Sequence, residues 1–331
     1  PTGLLTGFMN FVAGIGKDFK TDYIVFALDA KGTTFRNELF ENYKAQRPDV
    51  PEDLLTQLPV AISWVEKMGF KIAIRTGYEA DDMVASIAKD AKEKGFEVRI
   101  VSHDKDLYQL IDDANSVYLF DPTKKQIINE AKCIEKYGVT PKQFIDYQAL
   151  VGDTADNIPG VKGVGAKTAQ TLIEQFGTLE NIYENIENID KKRTKELLIE
   201  GKENAFLSKQ LVTLKDDCHF ISNIDEFSLP SENPILKIAS DLESYDMHRI
   251  IERVNKNGLN YKTEVPKQAN EQKLEYILLD NENDLSLAIN KIPRDAIIAF
   301  DTETTNLDTA KAKIVGFSFC YEDKKAYYVP I

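Results

Sequence analysis

Residues 70–94 read FKIAIRTGYEADDMVASIAKDAKEK, and this stretch decides the fold. Phe70 to Ile74 is an apolar run of strand length ending in Arg75-Thr-Gly. From Asp82 to Lys94 the apolar residues instead recur every three to four positions, the spacing of a helix with one buried face. Glu79, Asp81 and Asp82 lie at the junction. The same order is seen on either side. Tyr23 to Leu28 runs into Asp29, helical spacing follows over Leu54 to Lys67, and Phe96 to Val101 ends in Ser102-His-Asp. Strands alternating with helices predict an α/β fold with a mostly parallel central sheet and flanking helices. In such sheets ligands gather beyond the carboxyl ends of the strands. Asp29, the Glu79 group and the Asp104 group all fall there.

Val117 to Phe120 and Gln126 to Ile128, joined by Asp121-Pro122-Thr, predict a hairpin, and Thr140-Pro141 opens a helix with a cap and a proline at its first position. A glycine-punctuated pair of short helices is expected past Asp156, then Asn- and Lys-rich helices to about Asn255. Asn257 to Gln272, polar and holding Pro266, reads as a linker, and a new apolar unit begins near Leu274.

Eight carboxylates stand in short clusters: Asp29, then Glu79, Asp81 and Asp82, then Asp104 and Asp106, then Asp153 and Asp156. Carboxylates this close repel one another unless cations neutralise them, and eight suit two hard metal ions. Glu79 and Asp82 are three apart on one helix face with Asp81 beside them, so all three are expected in one cleft. A capping cluster that complements the helix dipole would explain one or two acids there, and the further pairs favour metal. Asp104 and Asp106, two apart beyond a strand, face one way, and His103 just before them faces the other and reads as a surface residue.

Gly152-Asp-Thr-Ala-Asp-Asn-Ile-Pro-Gly-Val-Lys-Gly-Val-Gly-Ala-Lys-Thr-Ala joins the last acid pair to a glycine-rich turn whose backbone can approach a phosphate closely. After Asp29, the basic Arg36, Lys44 and Arg47 interleave with Phe35, Phe40 and Tyr43, a pattern that single-stranded nucleic acid binding uses and that a solvated amphipathic helix also shows.

Together, Asp29-Ala-Lys-Gly with Phe-Arg and Tyr-Lys-x-x-Arg-Pro, Glu-Ala-Asp-Asp, His-Asp-Lys-Asp and Gly-Asp-x-x-Asp-Asn-Ile-Pro-Gly resemble the 5′-nuclease domain of bacterial DNA polymerase I, a relative of the flap endonucleases. The match runs in order from Pro1 to about Asn255. The resemblance implies a PIN-like α/β core over residues 1–150 and a helix-hairpin-helix with further helices over 151–255. It implies two Mg2+ or Mn2+ ions held by Glu79, Asp81, Asp82, Asp104, Asp106, Asp153 and Asp156, with Asp29 close to the first. Lys44 and Arg47, with Arg36 and Tyr43, would contact the scissile phosphate or the 5′ strand. Gly160, Lys162, Gly163, Gly165, Lys167 and Thr168 would meet the duplex, and the family also places K+ in that hairpin. The expected substrates are DNA with 5′ flaps, nicks or RNA primers, cut during replication and repair by a monomeric cytoplasmic enzyme. A non-catalytic DNA-structure-binding scaffold, or an inactive fragment, is the alternative.

Ala296-Ile-Ile-Ala-Phe-Asp-Thr-Glu-Thr, with strand-like runs at Ile314 to Cys320 and Ala326 to Pro330, resembles the opening of the RNase H-like 3′–5′ exonuclease domain of the same polymerases. That resemblance makes Asp301 and Glu303 metal ligands, residues 256–273 a linker and residues 274–331 a partial second domain. The family's first strand and first helix, with another metal-binding aspartate, would precede Pro1, so the chain reads as a piece of a longer enzyme.

Bulk properties agree with this. The 331 residues carry a net charge of −13, yet residues 1–50 hold six basic and six acidic side chains, and Lys162 and Lys167 are the only charges from Ile158 to Ile173. Locally neutral or basic surfaces can hold DNA while the acids concentrate elsewhere. Cys133, Cys218 and Cys320 suggest neither a disulfide framework nor zinc, and no apolar run has membrane-spanning length.

Overall fold

The computed structural model describes residues 2–19, 21–48, 50–230, 233–257, 275–305, 311, 313–322 and 325–331. The chain divides into two compact units, Pro1–Thr263 and Glu264–Ile331.

The first unit begins with α1 (Gly3–Asp18), β1 (Val25–Ala27), α2 (Phe35–Leu39), α3 (Glu52–Met68), β2 (Lys71–Ala73), α4 (Ala80–Glu93) and β3 (Val98–Val101). The pair β4 (Val117–Asp121) and β5 (Gln126–Ile128) and helix α5 (Glu130–Tyr137) follow. β1 and β2 pair in parallel, Val25 opposite Lys71 and Ala27 opposite Ala73. β3 and β4 also run parallel, and β5 closes an antiparallel hairpin onto β4. The expected sheet is thus two short ladders. The run into β1 is engaged elsewhere, with Ile24 N donating to Phe227 O at 2.9 Å and Leu229 N to Asp22 O at 2.8 Å. Side chains join the ladders instead: Met83, Ile87 and Ala91 of α4 pack with Ala73, and Val25, Ala27 and Val98 lie against them. Met83 is wholly buried, a contribution of about 2 kcal/mol.

Local chemistry sets the element ends. α3 stops at Gly69, whose φ of 87° is open to glycine at little cost. α6 (Pro141–Val151) opens with a Thr140–Gln143 capping box and a proline at its start. The helices α7 (Ala166–Phe176), α8 (Leu179–Glu184), α9 (Lys192–Glu200) and α10 (Lys202–Val212) gather around Phe144, Leu150, Val164, Leu172 and Leu198. α11 (Ala239–Ser244) and α12 (His248–Asn257) return to α1 and α3, burying Leu242 and Ile250 against Met9 and Trp64.

Of the pair of short helices expected past Asp156, only the second is formed, as α7. Residues 153–165 are a tight loop in which Asp153 and Ile158 exchange both backbone hydrogen bonds, at 2.9 and 2.7 Å. Positive φ at Asn157, Gly160 and Gly163 interrupts any helix there. The helix before the glycine turn is therefore α6, and α7 begins only at Ala166.

The second unit is a sheet of β6 (Glu275–Leu278), β7 (Ala299–Thr304), β8 (Ile314–Glu322) and β9 (Lys325–Pro330) in the order β6-β9-β8-β7. Helix α13 (Glu282–Asn290), capped by Asn281, supplies Ala288 to a core with Leu279, Phe319, Tyr327 and Val329. Of the expected linker, residues 256 and 257 end α12 and the rest lies outside the described residues.

Candidate functional site

Four loops of the first unit bring the acids together. Asp29 follows β1, and its Oδ1 accepts from Ala80 N at 2.8 Å, tying that loop to the start of α4. Asp81 stands in the first turn of α4. The loop after β3 is shaped by its own acids, with Asp104 Oδ1 accepting from Asp106 N at 2.9 Å. The 153–158 loop after α6 carries Asp153 and Asp156. Carboxylate oxygens of Asp106, Asp153 and Asp156 lie within 4.8 Å of one another.

The two halves of this cluster differ in charge compensation. Asp81 has no hydrogen-bond donor among the described residues. Burial, then the neighbouring Asp104 and Asp106, push its carboxyl up to about 7. Asp106 is pushed up to about 6, again first by burial, although Gln148 Nε2 donates to its Oδ1 at 2.6 Å. In the other half, Lys105 Nζ sits 2.8 Å from Asp153 Oδ2. Arg47 donates twice to Asp156 Oδ1, at 3.0 and 2.5 Å, and Lys44 Nζ lies 3.9 Å from Asp156 Oδ2.

Lys44, at φ 58°, links the halves, because Nζ also meets Glu79 Oε1 at 2.8 Å. Glu79 is held by two further groups, Tyr43 OH at 3.1 Å and Arg36 at 3.3 Å. Arg47 keeps half of its side chain in solvent.

Four of the sequence-based expectations need correction. Asp82 does not face the cleft. Its side chain is wholly buried and accepts four hydrogen bonds, from both terminal nitrogens of Arg36, from Glu79 N and from Lys215 N. Those bonds fill its lone pairs and leave nothing for a metal. Arg36 is not a DNA contact, being 1% exposed, with Nε on Leu211 O at 2.8 Å and one terminal nitrogen also on Thr213 O at 3.3 Å. Tyr43 is buried with its hydroxyl on Glu79. Gly160 is buried too. Its amide donates to Ser208 Oγ, and a Cβ there would come within 2.5 Å of Gly152 N.

Lys162, Gly163, Gly165 and Lys167 are exposed and Thr168 half-buried, at the turn into α7. The first amides of a helix have no acceptor within it, so this end of α7 can bind an anion. Lys105, Gln148 and Ser208 were not singled out from the sequence. Lys105 lies between two acids that were, whereas no short-range pattern marks Gln148 or Ser208. His103 is exposed, near Thr123 Oγ1.

In the second unit, Asp301 and Glu303 are two apart on the edge strand β7, opposite Ser318 and Gly316, so they share a face. Both are exposed, and Asp301 Oδ1 accepts from Thr302 N.

Comparison with known proteins adds a class to this geometry. A sequence family described as 5′-3′ exonuclease, N-terminal resolvase-like domain matches residues 1–138, and one described as 5′-3′ exonuclease, C-terminal SAM fold matches residues 139–234. DNA polymerase I of Helicobacter pylori strain 26695 is 38% identical over 345 residues, covering 100% of this chain and 37% of that protein. The 5′-3′ exonuclease of Aquifex aeolicus is 35% identical over 259 residues, covering 77% of this chain and 86% of that protein. The chain thus spans little more than a third of the Helicobacter polymerase. A solved structure of T5 5′-exonuclease with divalent metal ions (zinc) bound is similar at a TM-score of 0.55 and 25% identity, over 75% of this chain and 90% of that one.

An α/β PIN-like core with a helical SAM-like module and clustered acids defines a nuclease. The chain belongs to the 5′-3′ exonuclease family.

Proposed function

We propose that this nuclease hydrolyses phosphodiester bonds near the junction of a 5′ single strand with a duplex, acting on flaps, nicks and primer RNA as part of a DNA polymerase I in replication and repair. The observation that carries this reading is the acidic cluster itself. Asp106, Asp153 and Asp156 converge, and Asp81 is half-buried with no hydrogen-bond donor among the described residues. A carboxylate in that position is costly unless a cation meets it. An all-oxygen donor set suits Mg2+ or Mn2+.

Asp81, Asp104 and Asp106, with Asp29 beside them, would hold one ion, and Asp106, Asp153 and Asp156 a second. Bound there, divalent ions lower the pKa of water and offset charge on the phosphate. The protein supplies the rest. Lys44 and Arg47 carry positive charge beside the acids and are placed to meet a phosphate oxygen, with Glu79 and Tyr43 fixing the direction of Lys44. The exposed turn at Lys162, Gly163, Gly165, Lys167 and Thr168 would bind the duplex backbone, with K+ as a further ligand of that turn. Such contacts select shape and strand end rather than base sequence.

The membrane plays no part in this reading, and among the described residues no helix is long and apolar enough to cross one. A monomer in the cytoplasm is the simplest form of such an enzyme. The shared face of Asp301 and Glu303 supports a second metal-dependent exonuclease site of the 3′–5′ type, with these two acids among its ligands.

Cleavage of a 5′-labelled flap duplex and of a matching blunt duplex, in Mg2+ and in EDTA, tests the proposal. Mg2+-dependent product from the flap alone supports it. Equal cutting of both substrates, or product in EDTA, overturns it.

A further inference from the structure

The two halves of the acidic cluster are not equivalent, and Lys105 marks the difference. It lies between Asp104 and Asp106 in sequence, yet its ammonium group points to Asp153 Oδ2 at 2.8 Å. Asp153 Oδ1 is also used, by Ala155 N at 2.9 Å. Asp153 is therefore the one member of the converging Asp106, Asp153 and Asp156 trio whose two oxygens are held by Lys105 and by its own loop. Among the described residues the side-chain hydrogen bond to Asp106 is from the neutral amide of Gln148, and the cations on Asp156 are Arg47 and Lys44, the pair assigned to the phosphate. Asp81 and Asp104 meet no cationic side chain within ion-pair distance among the described residues.

We propose that Lys105 is an internal competitor for Asp153: it occupies one carboxylate of the Asp106, Asp153 and Asp156 site and must be displaced before that carboxylate can ligate an ion. The inference rests on the reading of the cluster as a two-ion site. Lys105 is a positioning residue, acting on the ion through Asp153. Its side chain is 40% exposed, so the released ammonium can move into solvent at small cost. While it stays on Asp153, a neutral Lys105–Asp153 pair replaces a free negative charge. The affinity of that site is lowered, and the Asp81 and Asp104 side is left as the tighter of the two.

Calorimetric titration of the chelator-stripped chain with Mn2+, without DNA, tests this. The comparison is wild type, Lys105→Met, which keeps the length and removes the charge, and Lys105→Arg, which keeps the charge. Changes around metal ligands typically alter affinity by about 10- to 100-fold. Lys105→Met should tighten the weaker Mn2+ site about tenfold and leave the tighter one unchanged, with Lys105→Arg close to wild type. Melting curves should agree, Mn2+ raising the melting temperature of Lys105→Met more than that of wild type. Two wild-type sites with both affinities unchanged or weakened in Lys105→Met would overturn the role of Lys105 and leave the two-ion reading standing. A wild type that binds no Mn2+ would overturn both.

Discussion

Arg36 and Asp82 form a buried two-bonded pair, at 2.8 and 2.9 Å, with 1% and 0% of their side chains exposed. The pair fastens three distant pieces of chain, α2, the start of α4 and the segment leaving α10, because Arg36 also reaches Leu211 O and Asp82 accepts from Lys215 N. Breaking one partner strands a buried charge, which costs about 3–5 kcal/mol. Arg36→Ala and Asp82→Ala should each lose stability on that scale in urea unfolding. The double variant Arg36→Met with Asp82→Leu should lose clearly less than the sum.

Asp81 should behave in the opposite way. Its carboxyl and that of Asp106 are held near 7 and 6, against 3.8 for an ordinary aspartate. The folded chain therefore binds these protons more tightly than the unfolded chain does, so their contribution to stability is greatest below about pH 4 and falls as pH rises. In EDTA, the melting temperature should drop as pH rises from about 4 to about 7 and this contribution should then level off. A saturating divalent ion should remove that fall, since it binds the deprotonated acids. Scanning calorimetry across the range, with and without Mn2+, checks both parts.

In the 152–165 loop glycine is required at Gly160, as at Gly152, and merely present at Gly165. Gly160 has φ 58° and packs its α-carbon against the backbone of Val151 and Gly152, whereas a Cβ on Gly165 would meet nothing within 4 Å. Gly160→Ala should cost roughly 3 kcal/mol, and Gly165→Ala about 1 kcal/mol or less. Both are read from chemical denaturation. If Gly165 lies against the duplex, its variant should lose DNA affinity in a filter-binding assay while staying folded.

Lys44 joins Glu79 to Asp156 and is one-quarter exposed. Lys44→Ala should slow single-turnover cleavage about a hundredfold, the scale of losing one group that stabilises transition-state charge. Stability should change little, because partly exposed ion pairs contribute about 0–1 kcal/mol.

Much of this was legible in the sequence. The apolar runs at residues 23–28, 70–74 and 96–101 and the three-to-four spacing of α3 and α4 placed most of the acids at strand ends, where β1, β2 and β3 now carry them. What spacing could not resolve was which of two adjacent acids enters the cleft. Asp81 and Asp82 are one residue apart, about 100° around the helix, so one faces the acids and the other faces inward, where Arg36 meets it. That choice depends on Leu211, Thr213 and Lys215, more than a hundred residues away. Burial of Tyr43 and Gly160 was hidden for the same reason, since their partners Glu79 and Ser208 are distant in sequence. Basic and aromatic interleaving likewise could not separate Arg36, turned into the core, from Arg47, half exposed on Asp156.

The central claim is that Asp81 holds a catalytic ion and that Asp82, its neighbour, does not. The direct measurement is the single-turnover rate of 5′-flap cleavage in Mg2+ for wild type, Asp81→Asn and Asp82→Asn, at a temperature where circular dichroism shows all three folded. Asp81→Asn should be slower by about a thousandfold, and Asp82→Asn should keep a rate within roughly tenfold of wild type. Asp81→Asn cutting at the wild-type rate, or Asp82→Asn as inactive as Asp81→Asn while still folded, would contradict the claim.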